Sequence, residues 1–168
     1  MTLSKLWCAV PAALLAAAFL FFIMPFEQVG RPFVAARGSL TCGDVMLTQT
    51  FTGTSDPYFV LFYFRPLGTT EWVEFYVDDE SPYRRGSLQI APGGERCAVT
   101  FYGREDLSFG CRDRSLKRRN RTDALPRKLV TDPLKPNYRM GGGWVWPESD
   151  AAAEQEAKAR LDDYWSKR

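Results

Sequence analysis

Residues 6–26 (LWCAVPAALLAAAFLFFIMPF) contain no charged side chain, and about twenty such residues are what a helix needs to cross a hydrocarbon core roughly 30 Å thick. A stretch of this kind decides where the rest of the chain resides, what redox state its cysteines meet and which partners it can reach. A removed signal sequence has an apolar region of about 7–15 residues with a small-residue cleavage site close behind it. Here the run is longer, and the nearest such site, Val34-Ala35-Ala36, lies beyond Pro25, Glu27, Arg31 and Pro32. The expectation is one transmembrane helix within residues 1–26, kept as an anchor, with cleavage after Ala36 as the alternative. Residues 27–37 read as a spacer that Gly30 and Pro32 keep irregular. Cys8 reads as a small apolar filler in lipid in preference to a palmitoylation site.

The flanking charges are Lys5 on one side, and Arg31 and Arg37 offset by Glu27 on the other. They are too evenly matched to orient the helix. Cys42, Cys97 and Cys111 orient it instead, because disulfides persist in oxidising compartments. The expected topology has the N-terminus cytoplasmic and the domain on the extracytoplasmic side, periplasmic in a bacterium. Three cysteines leave one thiol over, or one intermolecular bridge.

Residues 38–111 alternate as a β-protein does. In 44–51, Val45, Leu47 and Phe51 share one face, while Met46, Thr48 and Thr50 share the other. Residues 58–64 (YFVLFYF) are apolar throughout, as in a central strand covered on both faces. After the turn at 66–70, Val73, Phe75 and Val77 point one way; Trp72, Glu74 and Tyr76 point the other. Further strands are expected over 86–90, 97–102 and 106–111. Folding the chain at 103–105 sets Phe101 opposite Leu107, Val99 opposite Phe109 and Cys97 opposite Cys111, which makes one face wholly apolar. This register predicts a Cys97–Cys111 disulfide, with Cys42 as the alternative partner of either cysteine. The predicted fold class is all-β: a small antiparallel sandwich or barrel of about six to seven strands.

The formal charge of +2 is unevenly spread. Residues 112–128 carry eight basic side chains against Asp113 and Asp123, so this run holds +6 and the rest of the chain −4. Residues 112–147 are therefore predicted to form a basic arm rich in Pro and Gly. Residues 148–168 are predicted to be a short helix capped by Ser149, with Glu154–Lys158 and Glu156–Arg160 pairs. Its narrow apolar stripe is Ala153, Ala157, Leu161, Tyr164 and Trp165.

No histidine occurs. That excludes Ser-His-Asp and Cys-His catalysis and imidazole metal sites. Asp78, Asp79 and Glu80 read as solvated loop acids, with loop-carboxylate hydrolysis as the third-ranked activity. Gly141-Gly142-Gly143 lacks the lysine of a phosphate loop. Asn120-Arg121-Thr122 is a sequon only in a eukaryotic secretory pathway. No cofactor or metal is expected, and nucleic acid is not an expected partner of an anchored, outward-facing chain.

The residues therefore describe a single-pass, membrane-anchored, extracytoplasmic, non-catalytic protein that acts by binding another protein, as an accessory subunit, inhibitor or toxin-neutralising factor. The alternative is binding of an anionic lipid surface or envelope polymer through residues 112–128. Candidate binding residues are Lys117, Arg118, Arg119 and Arg121, together with the aromatics Trp72, Tyr76, Trp144 and Trp146.

Overall fold

The computed structural model describes residues 32–51, 58–77, 87–101, 104–119, 123–135, 139–141, 144–146 and 150–167. The apolar stretch 6–26 lies outside them, and among the described residues no helix is long and apolar enough to cross a membrane. Ten of the described strands form two antiparallel sheets of five. The first sheet contains β1 (Pro32–Leu40), β2 (Gly43–Phe51), β3 (Tyr58–Pro66), β4 (Trp72–Val77) and β10 (Pro126–Val130), in that spatial order. The second contains β5 (Ser87–Ile90), β6 (Arg96–Phe101), β7 (Arg104–Gly110), β8 (Ser115–Arg118) and β9 (Asp123–Ala124). A separate ribbon pairs β11 (Arg139–Gly141) with β12 (Trp144–Trp146), and α1 (Ala151–Ser166) ends the chain.

The two-residue periodicity places the core between the sheets. Val45, Leu47, Phe62, Phe64, Val73 and Phe75 project from the first sheet, and Cys97, Val99, Phe101, Leu107, Phe109 and Leu116 from the second. Phe64 and Phe109 meet across the gap with ring centroids 4.5 Å apart. The other face of the first sheet is buried as well: Met46, Leu61, Tyr63, Trp72 and Val130 form a second cluster. Burial on both faces is why β3 is apolar without alternation.

The sheets are joined differently at their two sides. On one side β1 approaches β5 so closely that a Cβ on Gly38 would lie 2.5 Å from Ile90 Cδ1, and a larger residue there would displace the Ile90 side chain. On the other side a single extended run changes sheets. Residues 123–124 pair with β8, residues 126–130 pair with β4, and only the exposed Leu125 separates them. Pro126 suits this corner because it has no N–H to leave unpaired.

Several expectations need correction. The spacer ends early, since β1 begins at Pro32: Val34 and Ala36 give 32–40 enough apolar contact to pair with β2. Within the expected arm, residues 115–118, 123–124 and 126–130 are strands of the two sheets. Leu116, Ala124, Leu129 and Val130 are single apolar anchors that draw β8, β9 and β10 into the domain despite the surrounding charge. The β6–β7 register differs by two residues from the expected one. Cys97 faces Phe109 and Val99 faces Leu107, with a bulge between Val99 and Thr100. Because the shift is even, the same residues face inward, but Cys111 falls beyond the strand end. It bonds to Cys42 instead, with Cα atoms 5.8 Å apart, and Cys97 stays a buried thiol. Burial pushes that thiol's pKa up to about 12, which makes it unreactive.

The C-terminal helix forms on the expected stripe and docks on the sandwich. Ala157, Leu161 and Trp165 are buried in the inter-sheet core, with Tyr164 packed beside them. The Trp165 ring stacks on Phe64 at 5.7 Å. Asp150 caps α1, accepting from the N–H groups of Ala152 and Ala153; Ser149, the expected cap, lies outside the described residues. Lys158 pairs with Asp162 at 2.7 Å, one turn on from the expected Glu154.

The Cys42–Cys111 bridge spans 69 residues. Removing it as a Cys42→Ser, Cys111→Ser double variant is expected to cost about 4 kcal/mol in urea denaturation, by loop entropy. Peptide mapping without reductant should link Cys42 to Cys111 and leave Cys97 open to alkylation only after unfolding. A Cys97 link would show the two-residue register shift to be wrong.

Candidate interaction surface

The β1–β2, β3–β4, β5–β6 and β7–β8 turns all lie at one end of the sandwich, together with the C-terminal end of α1. The chain enters β1 at the opposite end. We call these the distal and proximal ends.

Residues 41–42 tie the distal end together. Cys42 is bonded to Cys111, and its carbonyl accepts from the Leu67 N–H at 2.9 Å and from the Tyr164 hydroxyl at 2.7 Å. Next to it, the Thr41 N–H donates to the Gly94 carbonyl at 2.8 Å, while the Cys111 N–H donates to the Glu95 carbonyl at 2.8 Å. Gly43 must follow Cys42, because a Cβ there would run into the Arg65 carbonyl. Every distal turn is thus bonded to a neighbour that is remote in sequence.

Two of these turns have the type II pattern, a glycine with positive φ at the third position and an N–H closing onto the first carbonyl. Thr69 N–H closes onto Pro66 O at 3.1 Å around Gly68 (φ 83°), and Gly94 N–H onto Ala91 O at 3.0 Å around Gly93 (φ 87°). That geometry sets Leu67 and Pro92 at the tips. Leu67 is 59% exposed. Around it the four turns carry Arg112 and Arg114 against Glu71, Glu95 and Asp113, so the surface is close to neutral. Arg112 reaches Glu95 on the adjacent turn at 2.9 Å, and the Arg114 guanidinium lies 5.7 Å from the Trp165 ring centroid.

The residues singled out from sequence do not converge on one patch. Lys117 and Arg118 are on β8 and Arg119 follows it toward the proximal end; Arg121 lies outside the described residues. Trp72 is only 8% exposed, with the Arg65 guanidinium 4.7 Å from its ring centroid. Arg65 in turn holds Asp44 at 2.5 Å. The Arg65 hydrogen bond, helped by one from Ser39, lowers the Asp44 pKa. Tyr76 is on β4, and Trp144 and Trp146 are on β12; their side chains lie outside the description, as do Asp78, Asp79 and Glu80.

Two more members of the basic run, Arg127 and Lys128, turn onto the first sheet and meet Glu74, which is 1% exposed. Glu74 accepts from the Tyr63 hydroxyl at 3.0 Å and lies 3.3 Å from Arg127 Nη1 and 3.8 Å from Lys128 Nζ. Burial raises the Glu74 pKa above its ordinary 4.5 in spite of both cations. Leu67, Arg112 and Arg114 were not legible as surface residues, although an apolar residue before the glycine of a type II turn cannot be covered by its own hairpin. No protein family, curated protein or solved structure matches the chain.

The Glu74 cluster has a checkable sign. A carboxyl whose folded pKa is raised binds more protons folded than unfolded, so its contribution to stability falls as pH rises from 4.5 through the raised value. Glu74→Gln should flatten that dependence and be no less stable than the parent at neutral pH. Arg127→Met should cost about 3 kcal/mol, because it leaves a buried carboxylate with less compensation. Glu74→Gln placed on top should recover most of that loss. Failure of the recovery in urea denaturation would show that Arg127 acts by packing alone.

Proposed function

We propose that the protein is a membrane-anchored extracytoplasmic binding protein, non-catalytic, whose distal turns contact a protein partner. The observation that carries this reading is Leu67, an exposed leucine on a turn clamped at both ends and tied to a disulfide-bonded residue. An apolar side chain held this way loses little conformational freedom on binding. The near-neutral charge around it suits a protein surface better than a polyanion. The Cys42–Cys111 bridge supports an oxidising compartment, and the uncharged stretch 6–26 supports the anchor. Accessory-subunit, inhibitory and toxin-neutralising roles all use such a surface.

The test is chemical crosslinking in native membranes followed by capture of the detergent-solubilised full chain. One stoichiometric protein partner is expected. Leu67→Asp should lose it without lowering the unfolding midpoint, whereas Thr100→Asp, on the outer face of the second sheet, should retain it. A partner that survives Leu67→Asp would remove the distal turns from consideration.

A further inference from the structure

We infer that binding at the distal turns is governed by the redox state of the Cys42–Cys111 bridge, whose reduction frees those turns while the sandwich stays folded. This rests on the interaction surface proposed above and adds a regulation to it. The bridge crosses the gap between the sheets and ties the β1–β2 turn to the β7–β8 turn. By contrast, the Cys111 N–H bond to the Glu95 carbonyl and the Arg112–Glu95 pair stay within the second sheet. Reduction therefore cuts the covalent tie between the β7–β8 turn and the first sheet. Two contacts of the surface hang on the same residue, because the Cys42 carbonyl accepts from the Leu67 N–H at 2.9 Å and from the Tyr164 hydroxyl at 2.7 Å. Once Cys42 is no longer held from across the gap, Leu67 loses the fixed backbone that makes it an anchor, and the last turn of α1 loosens with Tyr164. The core does not need the bridge: Phe62, Phe64, Phe75, Val99 and Phe109 are buried by apolar contact between the sheets.

The bond is placed for exchange. Cys111 is half-buried at the start of its turn, and Thr41 Oγ1 donates to its sulfur at 3.5 Å in an exposed contact, whereas Cys42 is buried. A thiolate of a dithiol reductant therefore attacks the Cys111 sulfur, and Cys42 leaves as a thiolate that takes a proton. The second thiol of the reductant then attacks its own sulfur in the mixed disulfide. Cys111 leaves and is protonated, and the reductant departs as a cyclic disulfide. Two electrons and two protons pass to the protein. The third cysteine of the domain stays out of the exchange: Cys97 is 1% exposed and pairs with Phe109 across β6 and β7. Reoxidation then returns the same pair, which separates a reversible device from a staple that scrambles once opened.

The experiment uses the full chain in nanodiscs of phosphatidylcholine, treated with dithiothreitol in native buffer and then alkylated with iodoacetamide. Mass spectrometry should find Cys42 and Cys111 alkylated and Cys97 protected. Amide hydrogen exchange should quicken about tenfold at Leu67, at Cys111 and over residues 163–167, the equivalent of one weakened hydrogen bond, while β3 and β6 exchange as before. Glutathione disulfide should restore both the bond and the slow exchange. Cys42→Ser with Cys111→Ser should exchange as the reduced chain does, without any reductant. A bridge that opens only in denaturant, unchanged exchange at Leu67, exchange in β3 rising together with the turns, or alkylation of Cys97 under native conditions would overturn the inference. The partner captured by the oxidised chain should be lost from the reduced chain and from the double variant. Retention by the reduced chain, with loss by Leu67→Asp, would overturn the regulation alone. Retention by Leu67→Asp would overturn the surface and the regulation with it.

Discussion

Cys42 is the residue on which the arrangement of the distal end depends. Its sulfur reaches the β7–β8 turn, and its carbonyl receives both the β3–β4 turn and the terminal helix. Remove these bonds and the two sheets keep their apolar contact, but at that end the Thr41 N–H to Gly94 carbonyl bond is left to set the height of one against the other. The helix depends on the same node. Trp165 lies flat on Phe64, whose other neighbour is Phe109 of the second sheet, so α1 closes the gap between sheets while Tyr164 fixes its end. An isolated helix of sixteen residues is marginal in water, and this one is held by what it covers.

The first sheet obeys a second constraint, burial on both faces. Strands covered on one side alternate; β3 cannot, and β4 must place Glu74 where water does not reach. The cations that accompany it come from β10, the strand that arrives by changing sheets at Leu125. The basic run therefore supplies charge to the interior as well as to the surface. Composition alone, which counts +6 over residues 112–128, does not separate these uses.

The β3–β4 hairpin and the faces of β2 and β4 were legible, because β3 is an unbroken apolar run and β2 and β4 carry apolar residues at two-residue spacing. The helix stripe was legible for the same reason at its own period. Strands β8 to β10 were not, since Leu116 and Ala124 are lone inward residues in polar surroundings and only the completed sheet makes them core. The β6–β7 register was legible in parity but not in position. Any even slip keeps Val99, Phe101, Leu107 and Phe109 inside, and the bulge that selects one of them leaves no mark in the sequence. The disulfide assignment failed with that slip. The distal surface was hidden in another way: it is built from single residues of four turns, which only the fold brings together.

The edges and faces narrow where a partner can attach. An added strand needs a free sheet edge. Here β10 lies against α1, β9 has two residues before it becomes β10, β5 has four, and β1 is irregular between Val34 and Ala36 and begins with Pro32. The outer face of the first sheet is buried. The outer face of the second bears Ser87, Gln89, Ala98, Thr100 and Ser108, small or polar groups that offer little apolar area to desolvate. Among the described residues, that leaves Leu67 in the distal turns and Leu125 between β9 and β10 as the places where strongly exposed apolar surface coincides with fixed backbone. On the proposed topology the anchor joins at the far end. A strand the length of β3, nine residues, would then carry those turns about 30 Å above the bilayer at roughly 3.3 Å per residue. At that height a partner can be met without either protein entering the headgroup layer.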